Sequence, residues 1–310
     1  VQGDEKKRLV TTLALAALVS TAVHLVASSP QEEVLLGEPL KIVVRWEARA
    51  PVSVLLPGPF PYRVEDSVIL FRVQDSLGSH LYGEHIEGAG ELLRKGTVLQ
   101  KGDVHVTNLV LTYGVDEKNE ETWPCRTKGR CSIQVVYGIN GDAAVSNPVT
   151  FDVTLPKDSD KNVFETVSKN PIALLGRYSH DLRYSDDLIT RYPASAYLRW
   201  SRLLKYEERL DRIRELRDPQ TDVSMRSHLA TEQQTPWRQE QASRLATELL
   251  AEQDFGPFEE ERLDIASGLT RDEQLARALR AELLSRFPAS AAAEQIKADE
   301  EAEQRVDSQP

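Results

Sequence analysis

The period of the apolar residues changes once along this chain, at Pro156, and that change restricts the fold more than any other feature. Upstream, apolar residues recur at every second position in short runs: Leu40–Trp46 (LKIVVRW), Val68–Val73 (VILFRV), Val104–Tyr113 (VHVTNLVLTY) and Val149–Leu155 (VTFDVTL). Turn residues separate the runs, densest at Pro57, Gly58, Pro59 and Pro61, which stop a short run from Val52 to Leu56. Period 2 marks half-buried strands, and strands at this spacing predict an antiparallel sandwich. Downstream, Leu, Ala and Ile recur at helical spacing against Arg- and Glu-rich faces. The expectation is a multidomain β + α protein. An N-terminal antiparallel β-sandwich spans 31–156, a charged linker 157–161, and an all-α helical-hairpin domain 162–306. A chain of 310 residues accommodates two such domains.

The stretch Trp123–Gly138 (WPCRTKGRCSIQVVYG) supplies a central strand. Cys125 and Cys131 are the only cysteines, with Lys128-Gly129 as a turn signal between them. A loop this short closes when the chain doubles back as a hairpin, so the pair reads as a disulfide. Free thiols are the reading for a reducing compartment. After Cys131 the sequence predicts Ile133, Val135 and Tyr137 inward, Ser132 and Gln134 outward, and leaves Val136 undecided. Gly138–Gly141 (GING) predicts a hairpin turn, and the next strand runs over 145–155 with Pro148 at a sheet edge.

At the N-terminus Lys6, Lys7 and Arg8 precede an apolar run from Leu9 to Ala27, which includes His24 and ends in the small residues Val26-Ala27-Ser28. That order predicts a secretory signal cleaved near residue 29. An uncleaved anchor with its basic end in the cytoplasm is the alternative. Both place the body of the protein outside the cytoplasm, periplasmic or secreted. Only the uncleaved segment would bring contact with a membrane. The net charge of -11 excludes non-specific nucleic-acid binding, which needs a basic surface.

Gly37-Glu38-Pro39-Leu40 before a strand resembles the opening of bacterial extracytoplasmic immunoglobulin-like domains. Leu99-Gln100-Lys101-Gly102-Asp103 is similar to the turn such domains place before a long strand. Lys128-Gly129, Tyr137 and Ser146-Asn147 complete the likeness. The cysteine loop departs from it, since it lies within one hairpin and not between sheets as in antibody domains. The resemblance implies a binding or spacer module.

Helices are predicted near 161–176, 180–191, 195–216, 236–253, 258–267, 271–286 and 290–306, with a polar loop over 218–235. Two segments repeat: Leu188–Ala196 (LITRYPASA) and Leu283–Ala291 (LLSRFPASA). In each, Pro stops one helix, the aromatic fills the gap and Ser caps the next. This RYPASA/RFPASA signature resembles the tetratricopeptide-like repeats of bacterial envelope proteins. Its copies lie about 95 residues apart, not one ~34-residue period. Stacked helix pairs leave a concave face for partners, and Tyr184, Tyr197, Trp200 and Tyr206 are the candidates to line it. Core packing is the plain reading of the same aromatics.

No chemical site emerges. The histidines are His24, His80, His85, His105, His180 and His228; His80 and His85 share a loop with Tyr82 and Glu84 at a spacing that is not diagnostic of a metal site. Metalloprotease, serine-hydrolase and phosphate-loop signatures are absent from the sequence. No catalytic, cofactor-binding or metal-binding residue is assigned. The function expected is non-enzymatic: interaction with protein partners, or assembly, in the cell envelope. The alternative is an accessory or inhibitor domain acting on a secreted enzyme such as a protease. An exposed rigid loop at Cys125–Cys131 would favour the second reading, and an exposed patch on the helices the first.

Overall fold

The computed structural model describes residues 22–54, 69–84, 97–116, 118, 120–139, 142–169, 183–215 and 229–307. The chain divides into two compact units, Val1–Pro171 and Ile172–Pro310. The first is built on β-sheets and the second on helices, with the sheets mostly antiparallel.

In the first unit β1 (Val23–Ser28), β3 (Leu40–Ala48) and β8 (Val104–Leu111) form a three-stranded antiparallel sheet in the order β1-β3-β8. A second, larger sheet contains β2 (Glu33–Leu35), β5 (Ile69–Asp75), β6 (Gly78–Glu84), β9 (Gly114–Asp116) and β10 (Glu121–Thr122). It is completed by β11 (Gly129–Ile139), β12 (Asp142–Val145) and β13 (Val149–Thr154). Its order is β10-β9-β6-β5-β11-β13-β2, with β12 also on β11. A small ribbon pairs β4 (Val52–Val54) with β7 (Thr97–Leu99).

The strand leaving the cysteine loop is central, as its alternation predicts. β11 pairs with β5 along one edge, and with β13 and then β12 along the other. Cys131, Ile133, Val135 and Tyr137 are all fully buried, and Val136 is buried on the opposite face. Ile139 stands opposite Asp142, which closes the predicted hairpin; Asn140 and Gly141 lie outside the described residues. Trp46 of β3 meets Tyr137 of β11 edge-on at 4.8 Å, so the two sheets share one core.

The turns quoted from the sequence have identifiable mechanics. Gly37 has φ +81°, and a Cβ there would lie 2.9 Å from Phe164 and 3.2 Å from Trp123. Only glycine meets both demands. Glu38 closes the same turn, its Oε2 accepting from the Leu35 N–H at 2.9 Å. Before β8, Asp103 Oδ2 accepts from the Gln100 N–H at 2.7 Å, with Gly102 at φ +95°.

Three expectations need correction. Val26-Ala27-Ser28 is not a free cleavage segment, because it lies in β1. Val23, Leu25 and Ala27 are core residues, and the strand pairs residue by residue with β3. The larger sheet is not purely antiparallel: β2 pairs parallel to β13 through Glu33, Val34 and Leu35. The chain leaves β1 in one sheet and enters β2 in the other over four residues, Ser29–Glu32. Finally, the helix expected to open the second domain, α1 (Asp158–Val167), belongs to the first unit. Val163 and Val167 are buried, and Phe164 packs near Trp123 at 6.5 Å. Residues 170–176 of that expected helix lie outside the described residues.

The second unit holds α2 (Arg183–Arg191), α3 (Arg199–Glu215), α4 (Leu229–Ala251), α5 (Glu259–Leu269), α6 (Glu273–Arg286) and α7 (Ala291–Asp307). Consecutive helices pack in chain order from α3 to α7. Helix α4 begins at Leu229, inside the segment expected as a loop over 218–235, and runs through Pro236. Aperiodic polarity misled the reading there: Glu232, Gln233 and Gln234 are good helix formers without an apolar stripe. The two RxPASA copies form the same backbone turn. Tyr192 N–H donates to Leu188 O and Ser195 N–H to Tyr192 O; Phe287 N–H donates to Leu283 O and Ser290 N–H to Phe287 O. Ser290 caps α7 through Oγ to the Ala293 N–H at 3.1 Å, whereas Ser195 makes no capping side-chain bond to its one-turn helix. Between them, Phe258 N–H donates to Phe255 O. The turn Phe255-Gly256-Pro257-Phe258 is thus a third aromatic helix-to-helix turn, too altered to match the signature.

Candidate functional site

The loop from Cys125 to Cys131 is braced from three sides. The disulfide joins the segment before β11 to β11 itself, with Cα atoms 6.0 Å apart. Asp75 ends β5, and its side chain is fully buried. Arg126 Nε donates to Asp75 Oδ2 and Arg126 Nη2 to Oδ1, both at 3.1 Å. The Arg126 N–H donates to Oδ2 at 3.2 Å, and the Leu77 N–H to Oδ1 at 2.9 Å. Thr127 and Ser76 share a hydroxyl–hydroxyl bond of 2.7 Å. The cysteine loop and the β5–β6 hairpin tip are therefore one rigid body.

Asp75 follows from elementary electrostatics. Burial pushes its carboxyl pKa up, but the bonds from Arg126 and the backbone N–H groups outweigh burial and hold it below the ordinary carboxylate range. An ionised, fully hydrogen-bonded carboxylate results. Outward from this brace stand Lys128, Gly129 and Arg130, all exposed, and Leu77, 67% exposed at the hairpin tip. A cationic and apolar knob thus projects from a chain whose net charge is -11.

Sequence reading found the cysteines but not Asp75, Arg126 or Leu77. Asp75 before Ser76-Leu77-Gly78 does carry an Asx-turn signal. Its second role, as counter-ion to a residue 51 positions away, has no local signature.

Three of the four aromatics expected to line a partner-binding face are buried. Tyr197, Trp200 and Tyr206 are each 4% exposed. Trp200 packs on Phe258 at 5.0 Å. The side chain of Tyr184 lies outside the described residues. Trp200 and Tyr206 belong to a clamp between α3 and the α4–α5 turn. Arg199 Nη2 donates to both carboxylate oxygens of Asp254, at 2.9 and 3.1 Å. Arg202 donates from Nη1 to the Gln253 carbonyl at 3.3 Å and from Nη2 to the Asp254 carbonyl, and lies 4.6 Å over the Phe255 ring. The Tyr206 hydroxyl donates to Glu252 Oε1 at 2.6 Å. Burial first, then the Glu252 carboxylate, drives the Tyr206 pKa up, so it remains a neutral donor. Burial also pulls Arg202 down, against the pull of Glu252 and Asp254. The clamp satisfies carbonyls of the α4–α5 turn and is structural.

The histidines are scattered. His24 sits on β1, its Nδ1 3.1 Å from Glu47 Oε2 on β3; His80 is buried; His105 is half-buried on β8. His85, His180 and His228 lie outside the described residues. Among the described residues no group of three or more His, Cys, Asp or Glu side chains is placed to hold a metal ion, and no helix is long and apolar enough to cross a membrane.

No family model and no curated protein matches the chain. Among solved structures, it is similar to a β-glucosidase from Listeria innocua bound to isofagomine, at 17% identity and TM-score 0.24. That match covers 42% of this chain and 16% of the glucosidase. The same enzyme with glucose gives 17% identity over 43% of this chain and 16% of that one, with TM-score 0.23. A superposition this poor assigns neither a fold family nor an activity.

Proposed function

We propose that this is a non-enzymatic, extracytoplasmic interaction protein whose binding element is the braced knob of Leu77, Lys128 and Arg130. Its first unit is read as an immunoglobulin-like sandwich and its second as tetratricopeptide-like helical hairpins. Two sheets around one core with a buried Trp46, and three aromatic turns joining successive helices, support those readings. The disulfide supports an oxidising compartment, because such bonds are rarely kept in a reducing one. The observation that carries the functional reading is the bracing itself. A disulfide, a buried bidentate ion pair and a hydroxyl bond hold a loop whose outer residues touch water. Preorganised exposed residues lower the entropy cost of association.

The bracing also matches what an inhibitor loop needs. Gly129, at φ +110°, opposes the substrate-mimic form of that reading. A protease cleft takes an extended strand, and positive φ directly after Lys128 bends the chain away from that form. Docking of a partner, not insertion into a protease, is the reading that fits both facts.

The test places a photo-crosslinking residue at Leu77 or Lys128, with Arg45, exposed on β3 of the other sheet, as the control, in intact envelopes. The expected result is a discrete adduct from 77 and 128, absent from 45 and lost with Asp75→Asn. Equal labelling from all three positions would overturn the proposal.

A further inference from the structure

The geometry of β1 points to a processing site between Ala22 and Val23, an inference that shares the extracytoplasmic reading but does not depend on what the knob binds. The basic-then-apolar stretch from Lys6 has the order of an export signal. Its small-residue end at Val26-Ala27-Ser28 is unusable once the chain is folded. β1 pairs with β3 from Val23 opposite Ala48 to Ser28 opposite Val43. Val23, Leu25 and Ala27 are each 3% exposed or less in the shared core.

The outer edge of β1 is tied down as well. Asn147, before β13, accepts from the Ala27 N–H through Oδ1 and donates through Nδ2 to the Ala27 carbonyl, both at 2.8 Å. One side-chain amide so pairs with both backbone groups of a strand residue. A cut at Ala27 or Ser28 would remove three core side chains, the six-residue ladder and this clasp.

At Ala22 the dependence stops. Its one backbone tie among the described residues is its carbonyl, which accepts from the Arg49 N–H at 2.8 Å. Arg49 is exposed, so water replaces that bond. Immediately upstream the sequence reads Ser20-Thr21-Ala22, small residues at the first and third positions before the bond, as signal peptidase requires. Hydrolysis of the Ala22–Val23 peptide by water releases the leader with a free carboxylate on Ala22. It leaves Val23 as a free amine at the start of an intact strand.

The test exports the full chain from a Gram-negative host and measures the N-terminus of the periplasmic product by intact mass and N-terminal sequencing. The expected product begins at Val23, and Ala22→Leu shifts the bulk of the product to the unprocessed mass. A terminus at any other residue, or a mature-length product unaffected by Ala22→Leu, overturns the inference. Uncleaved protein in the periplasmic membrane fraction also overturns it while leaving the location standing. Retention in the cytoplasm overturns both. In parallel, chains starting at Val23 and at Ser29 are compared. The first is expected to keep the thermal transition of the whole protein, and the second to lose it for the β-unit. Equal melting of the two would show that β1 is dispensable and would remove the basis of the argument.

Discussion

Replacing Asp75 by Asn tests the bracing of the knob with almost no change of shape. In the native protein four donors converge on two carboxylate oxygens: Leu77 N–H and Arg126 Nη2 on Oδ1, Arg126 Nε and N–H on Oδ2. Asn keeps one acceptor oxygen. Its amide NH₂ faces the other two donors, so two bonds are lost and the Arg126 charge loses its counter-ion. Hydrogen bonds to charged groups contribute about 1.5–3 kcal/mol each. Breaking a buried pair from one side costs about 3–5 kcal/mol. Arg126 keeps a quarter of its side chain in water, which offsets part of this. The expected loss is therefore about 3 kcal/mol, larger than the ~2 kcal/mol that the short disulfide contributes by loop entropy. Urea unfolding of the whole protein, followed by hydrogen exchange at the Leu77 and Arg126 amides, reads it directly. The native carboxyl has a lowered pKa, so its stabilisation is complete above its reference value of 3.8 and is lost as pH falls through the lower folded value. Asp75→Asn should remove that acid-dependent part. A loss below about 1 kcal/mol, or an additive double-mutant cycle with Arg126→Met, would refute the reasoning, since residues in contact should couple by ~0.5–3 kcal/mol.

Gly37→Ala meets both a positive φ and Phe164 at 2.9 Å, so it should destabilise the first unit by about 2–3 kcal/mol; an unchanged melting temperature would show that the turn relaxes freely. Arg202→Leu removes the donors to two carbonyls of the α4–α5 turn and should cost the helical unit about 2–3 kcal/mol, measured by thermal unfolding of the whole chain. Burial lowers the His105 pKa below its reference 6.5. The unfolded chain therefore binds the proton more readily, and stability present above pH 6.5 falls as the pH drops below it. His105→Gln should flatten the melting temperature between pH 7 and pH 5, and an unchanged slope would exclude His105 as the source.

How much of this was legible in advance depends on how far each residue's partner lies along the chain. The Gly37 and Gly102 turns were readable because glycine and acceptor side chains act within a few residues. The braced knob was readable only as a cysteine loop. Asp75 looks like any turn residue until β11 pairs with β5 and sets Ser132 opposite Gln74, which delivers Arg126 to it.

Alternation and helix period by themselves determined the β + α division, the central place of the Cys131–Tyr137 strand and most helix positions, since these patterns are local properties of the backbone repeat. Which face of an apolar or aromatic residue is used is not local. Trp200 and Tyr206 share α3 as a candidate partner-binding stripe, and only the packing of α4 and the Phe255–Phe258 turn against that helix turned them into core. The apolar run to Ala27 has the composition of a leader throughout. Only tertiary structure decided that its last five residues lie in a strand, because what holds them is a ladder to β3 and an amide from Asn147, 120 residues away. Hydrophobicity drives a segment out of water without naming what will cover it; the partner is chosen when distant strands meet.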